Sequence, residues 1–184
     1  MSRPRILVAG IGNIFLGDDA FGVEVVARLA RQSWPQGVCV ADFGIRGFDL
    51  AYALMDPWDR AILVDALPRG GAPGTVYVLE PELTELSQPE PAGNAHGVDP
   101  VRVLHLVRSL GGTLPPLCVV GCEPAAFGTD EEPATELSPP VRAAVAEAEK
   151  VIVSLIARTV SEEAPNHECD HDRRAGTGSN APEL

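Results

Sequence analysis

Two adjacent carboxylates stand where a cofactor-binding fold would receive a phosphate. Ile6-Leu7-Val8-Ala9-Gly10-Ile11-Gly12-Asn13 is an apolar strand running into glycines, and Gly17-Asp18-Asp19-Ala20-Phe21-Gly22 opens the helix that should follow. Backbone N–H groups at such a helix start attract anions. Carboxylates there repel phosphate and suit a cation. Helix capping accounts for one Asp. Asp18 is the better cap, which leaves Asp19 to point into the cleft. A second carboxylate, Asp65, closes the apolar run Ala61-Ile62-Leu63-Val64-Asp65. It belongs at the carboxyl edge of a sheet, where open α/β folds bind ligands, although a loop-capping Asp would look the same. His96, in Asn94-Ala95-His96-Gly97, has small neighbours that leave its ring accessible; a surface histidine would look the same. Together Asp19, Asp65 and His96 offer two oxygens and one imidazole nitrogen, a set that suits Zn, Ni or Cd. Spacing alone does not bring them together.

Other candidate groups point elsewhere. His105 sits in a helical pattern among apolar neighbours. His167, Cys169, Asp170 and His171 form a C-terminal cluster that reads as a solvated tail. Ser33, Ser87, Ser109 and Ser154 stand in unremarkable contexts, and no G-x-S-x-G elbow occurs. A metal-assisted route is therefore favoured over a serine or cysteine nucleophile.

The elements that must position these groups are legible as five strands, near Arg5–Ala9, Val38–Asp42, Ala61–Asp65, Thr75–Leu79 and Leu117–Val120. Four are continuous apolar runs expected to be covered on both faces. Thr75–Leu79 is mixed and follows Pro73-Gly74, which suits an edge. Helical stripes lie between: Phe21, Val25, Val26 and Leu29; then Phe48, Ala51, Tyr52 and Met55; then Val103, Leu106, Val107 and Leu110; then Val141, Val145, Ala148, Ile152 and Leu155. Asp99 and Pro100 start the third helix and Gly111-Gly112 end it, while Ser138 and Pro139 start the fourth. Alternating strands and helices predict an α/β/α three-layer sandwich around a five-stranded, mostly parallel sheet.

The chain has 184 residues, 45% of them hydrophobic, which suits one globular domain. Residues 1–160 are expected to form a single α/β domain. Residues 161–184 turn to Glu, Pro, Asn, Gly, Ser and Asp and read as a disordered acidic tail. A net charge of -12 argues against nucleic acid or an anionic membrane as partner. No apolar run is long enough to span a bilayer, and Met1-Ser2-Arg3-Pro4-Arg5 lacks the features of a signal peptide, so a cytoplasmic protein is expected. Cys39, Cys118, Cys122 and Cys169 form no C-x-x-C pair and are expected as free thiols. A dinucleotide fold is disfavoured: the third glycine falls at position 17, and Phe15 stands where a G-x-G-x-x-G motif needs it.

Five pieces of the chain, in order, resemble the hydrogenase maturation endopeptidases, which process the large subunit of nickel–iron hydrogenases. Gly10 to Gly22 looks like the family's G-x-G-N-x-x-x-x-D-D/E-x-x-G opening. The strand ending in Asp65, Ala72-Pro73-Gly74-Thr75, the His96 loop and Val119-Val120-Gly121-Cys122-Glu123-Pro124 follow. The resemblance implies that Asp19, Asp65 and His96 are the metal-contacting and catalytic positions. Some relatives carry Glu where Asp19 stands, so this chain has the shorter reach. Asp42-Phe43-Gly44-Ile45-Arg46-Gly47 departs from the family's Asp-Gly-Gly-Thr-x-Gly, with Phe43 and Ile45 in place of Gly and Thr. Asp42, Gly44, Arg46 and Gly47 are expected to meet the substrate, Arg46 as a contact for acidic groups or carbonyls.

The resemblance further implies a nickel-dependent endopeptidase, aspartic-type by family assignment. It would remove a C-terminal peptide from the large-subunit precursor, after the His or Arg that follows the Cys-binding motif, once the nickel–iron centre is loaded. Nickel then arrives with the substrate, and the isolated site is empty or holds an adventitious divalent metal. The protease is expected to be a monomer. Two alternatives stand beside it: a non-catalytic chaperone that recognises the nickel-loaded large subunit, and a zinc hydrolase that keeps its metal in isolation.

Overall fold

A computed structural model describes residues 3–81, 98–129 and 131–162. Strand β1 (Ile6–Ile11) lies between β2 (Val38–Gly44) and β3 (Arg60–Ala66), both parallel to it. β5 (Leu117–Cys122) pairs in parallel with the far side of β3, and β4 (Val76–Leu79) closes the sheet antiparallel to β5. The chain thus forms the expected five-stranded, mostly parallel sheet, with β4 at an edge.

Side-chain alternation sets the layers. Ile6, Val8, Ile62 and Val64 share one core with Phe21, Val25, Val26 and Leu29 of α1 (Phe21–Leu29) and with Val141, Val145, Ala148, Ile152 and Leu155 of α4 (Pro139–Glu162). Leu7, Ala9, Ile11, Ala61 and Leu63 share the other with Leu50, Ala51 and Leu54 of α2 (Gly47–Leu54) and Val103, Leu104 and Val107 of α3 (Pro100–Ser109). Asp99 caps α3 as expected, its carboxylate accepting the Val101 N–H at 2.9 Å, with Pro100 in the first turn. Among the described residues no helix is long and apolar enough to cross a membrane.

Several local expectations change. β2 is not covered on both faces: it is an edge strand, half-exposed throughout, with Cys39 at the surface. α2 does not bury Phe48, Tyr52 and Met55; it turns them to solvent and buries Leu50, Ala51 and Leu54. On α3, Leu104 is buried where Leu110 was expected. Helix α4 continues to Glu162, two residues past the expected domain end. Residues 163–184, with His167, Cys169, Asp170 and His171, lie outside the described residues.

The strand order reverses between β1 and β3. From β1 the chain passes through α1 to β2 on one side; from β3 it passes on to β4 and β5 on the other. The carboxyl ends of these two central strands therefore flank a crevice, the general ligand position in open α/β sheets.

Candidate functional site

Glycines bring the first carboxylates to that crevice. Asp18–Ala20 form a 3-10 turn leading into α1. Gly12 follows β1 at φ 133°, and a Cβ there would lie 1.8 Å from the Asp19 carbonyl oxygen. A Cβ on Gly22 would lie 2.1 Å from the Val64 carbonyl oxygen and 2.4 Å from that of Ile11. Only missing side chains let the turn and the first residues of α1 rest on the ends of β1 and β3.

The two aspartates of the turn then do different things. Asp18 does not cap its own helix. Its buried carboxylate accepts the N–H of Ala125 at 2.8 Å, of Ala126 at 3.3 Å and of Ser138 at 2.7 Å, and the Ser138 hydroxyl at 2.9 Å. It ties the loop after β5 and the start of α4 to the turn. Asp19, also buried, accepts the Asn13 N–H at 2.7 Å. That bond orients its carboxylate from the β1 side.

Asp65 lies at the end of β3, in register with Gly121 of β5, and is buried. It accepts the N–H of Ala66 at 2.8 Å. Burial holds its carboxyl well above the usual carboxylate range. The negative charge of Asp19 pushes in the same direction, and that of Asp99 adds to it, against the opposing Ala66 N–H. The fold therefore brings Asp19 and Asp65 into one electrostatic neighbourhood, with the cap of α3 beside them. Two like charges in low dielectric are costly unless a proton or a cation joins them. This donor chemistry fits a divalent cation. Among the described residues no group of three or more His, Cys, Asp or Glu is gathered to hold a metal ion, and His96 lies outside them.

A groove of about 330 Å³ adjoins the turn. Asn13, Ile14 and Phe15 line one wall and Asp42 to Arg46 the other, with Val23 between them in the lining. Of the expected substrate contacts, Asp42, Gly44 and Arg46 line it. The Gly44 carbonyl accepts the Gly12 N–H at 3.1 Å, which pins the loop to β1. Arg46 donates Nε to the Phe43 carbonyl at 3.1 Å and Nη2 to the Asp42 carbonyl, so its guanidinium braces its own loop. Gly47 is not in the lining; a Cβ there would meet Val98 at 3.2 Å, and its smallness serves packing.

Glu123 supports the site from the end of β5, a role that no pattern in the sequence predicts. Its carboxylate accepts the N–H of Arg69 at 2.9 Å and of Gly70 at 3.0 Å, and the Tyr77 hydroxyl at 2.9 Å. Burial pushes its carboxyl up, but these donors outweigh that and hold it below the usual range. It fixes the loop that leaves Asp65. Gly121-Cys122-Glu123 shows only a lone acid closing an otherwise apolar strand. Burial pushes the neighbouring Cys122 thiol up to about 12, with the Asp18 and Glu123 charges adding to it, so it is no thiolate at neutral pH.

A family model described as hydrogenase maturation protease matches residues 23–155. The hydrogenase 2 maturation protease of Escherichia coli (strain K12) is 34% identical over 176 residues, covering 91% of this chain and 99% of that protein. The hydrogenase expression/formation protein HupM of Azotobacter chroococcum mcd 1 is 32% identical over 157 residues, covering 85% of this chain and 73% of that protein. Among solved structures, the hydrogenase maturating endopeptidase HybD from E. coli matches with a TM-score of 0.68 at 29% identity, covering 84% of this chain and 93% of that one.

Proposed function

This chain belongs to the hydrogenase maturation protease family, and from that premise we propose that it cleaves the C-terminal extension from a nickel-loaded hydrogenase large-subunit precursor, using Asp19, Asp65 and His96 to meet the precursor's nickel. The buried Asp19–Asp65 pair carries the reading. Both carboxylates sit at the crevice where the strand order reverses, and their mutual repulsion is what an incoming cation relieves. A divalent ion supplies polarisation of a carbonyl or activation of a water.

This chain's residues supply placement and selectivity. The Asn13 N–H aims Asp19. The Ala66 N–H holds one oxygen of Asp65. Asp18 and Glu123 fix the loops around them through backbone donors. Nickel-free precursor brings no cation to the pair, so cutting waits for metal loading. The available nucleophiles favour a metal-assisted, carboxylate-based route. The Cys122 thiol stays protonated, and the Ser138 hydroxyl is committed to Asp18.

The test is incubation with nickel-loaded and nickel-free large-subunit precursor, followed by mass measurement. The nickel-loaded precursor should lose the mass of its C-terminal peptide and the nickel-free one should not. An unchanged mass in a preparation with verified nickel contradicts the endopeptidase reading; binding without cutting would support a chaperone instead.

A further inference from the structure

Resting on that reading of the site, we propose that Arg69 binds the substrate: its guanidinium receives a carboxylate of the precursor about three residues from the scissile bond. Arg69 stands in the loop that leaves Asp65 at the end of β3. Asp65 and Tyr77 both pair in register with Gly121 of β5, so one line across the sheet carries all three. Side chains at paired positions stand on the same face. The neighbouring line in the same phase identifies that face: Leu63, Val119 and Leu79 share the core beneath α2 and α3. Tyr77 therefore lies on the face of Asp65, two strands away, which is about 10 Å at the usual strand spacing. The guanidinium carbon of Arg69 sits over the Tyr77 ring, 5.9 Å from its centre. Gly121 between them carries no side chain, and a Cβ there would lie 2.8 Å from Leu67, so Leu67 floors the space.

The loop presents this guanidinium and does not consume it. Glu123 is already filled: it accepts the Arg69 N–H at 2.9 Å, the Gly70 N–H at 3.0 Å and the Tyr77 hydroxyl at 2.9 Å. The main chain of Arg69 thus serves Glu123, while its guanidinium makes no hydrogen bond or ion pair among the described residues. A Cβ on Gly71 would lie 2.1 Å from the Tyr77 hydroxyl, so the loop passes close against the ring and is held there. An aromatic face orients the planar guanidinium without using its N–H groups, which stay free to grip a carboxylate in a fork. Arg46, across the crevice, differs: it donates to the Phe43 and Asp42 carbonyls of its own loop. The occupant follows from distance and charge. An extended chain advances about 3.3 Å per residue, so one that crosses β5 from Asp65 meets Arg69 about three residues on. An Asp or Glu side chain and the free chain end supply the same group.

The experiment compares the unaltered protein with Arg69→Ala and Arg69→Lys on nickel-loaded precursor at low and high salt. Affinity is measured by calorimetry and cutting by mass. Both variants keep the backbone N–H that Glu123 accepts, and circular dichroism checks their fold. At low salt Arg69→Ala should weaken binding and raise KM about tenfold, with kcat within about twofold. Most of the salt dependence of binding should vanish with it, whereas Arg69→Lys keeps that dependence and recovers part of the affinity. Altered precursors then locate the carboxylate: each Asp or Glu near the cut is changed singly to its amide, and one precursor is amidated at its chain end. One of these should raise KM about tenfold with the unaltered protein and show no further rise with Arg69→Ala. A side-chain change identifies an acidic residue, and the terminal amide identifies the chain end. Unchanged KM and affinity in Arg69→Ala would overturn the contact and leave the protease reading intact. An Arg69→Ala effect that persists in full on every altered precursor marks a structural arginine and also overturns it. Binding that depends on Arg69 and on one precursor carboxylate, without any cutting, would uphold the contact and contradict the protease reading.

Discussion

Asp65 sits in a state the folded protein makes unfavourable. Burial, then the charge of Asp19, raise its proton affinity on folding. A carboxyl whose pKa is raised on folding binds its proton more tightly folded than unfolded. Its stabilising contribution is present below the unfolded value and lost as pH rises through the folded one. The protein should therefore lose stability as pH climbs from the ordinary carboxyl value of 3.8 toward the raised one. Asp65→Asn keeps an acceptor for the Ala66 N–H and removes the charge. It should melt higher than the unaltered protein at pH 8, with a smaller gap at pH 5, and process precursor about 10²-fold more slowly or worse. A lower melting temperature at pH 8 would contradict the assignment. That Asp19 and Asp65 sit at the sheet edge was legible, because each stands beside the end of an apolar run. The work of Asp18 was not. Its partners Ala125, Ala126 and Ser138 lie more than a hundred residues away in sequence, and a local pattern can only offer the nearest helix to cap.

At the scale of elements, the site depends on how closely α1 approaches the strands. Gly22→Ala places a Cβ 2.1 Å from the Val64 carbonyl oxygen, against backbone that cannot step aside cheaply. It should cost about 2–3 kcal/mol in urea denaturation and abolish processing, because the Asp19 turn must lift off β3. Gly111→Ala is the control. It lies past α3 at φ 79° with nothing within 4 Å of its Cβ, and it should cost about 1 kcal/mol with processing retained. Equal effects from the two changes would mean that the close approach does not position Asp19. The glycine spacing was visible in the sequence as part of a motif, though not which backbone each glycine faces. The misreadings of β2 and α2 share one cause. Whether a strand is central or at an edge is set by the order of the sheet, which no run of residues encodes. Phe48, Tyr52 and Met55 recur at helical spacing as a core stripe would, yet Leu50, Ala51 and Leu54 fill that place. Periodicity reports an apolar face without saying whether the chain's own core or another molecule covers it.

Over the whole molecule, the sheet places one carboxylate beside each of its two central strands, and the strand order leaves the crevice between them open. A net charge of -12 disfavours association with polyanions and favours attraction of cations. Under the proposed function, this pair joins the coordination sphere of a metal delivered by another protein. Nickel K-edge absorption on precursor alone, and on precursor freeze-quenched with the protease before turnover, reads that event directly. The expected result is a gain of oxygen ligands at nickel on complex formation, reduced in Asp19→Asn and in Asp65→Asn. A nickel spectrum that stays the same when the complex forms would contradict the claim.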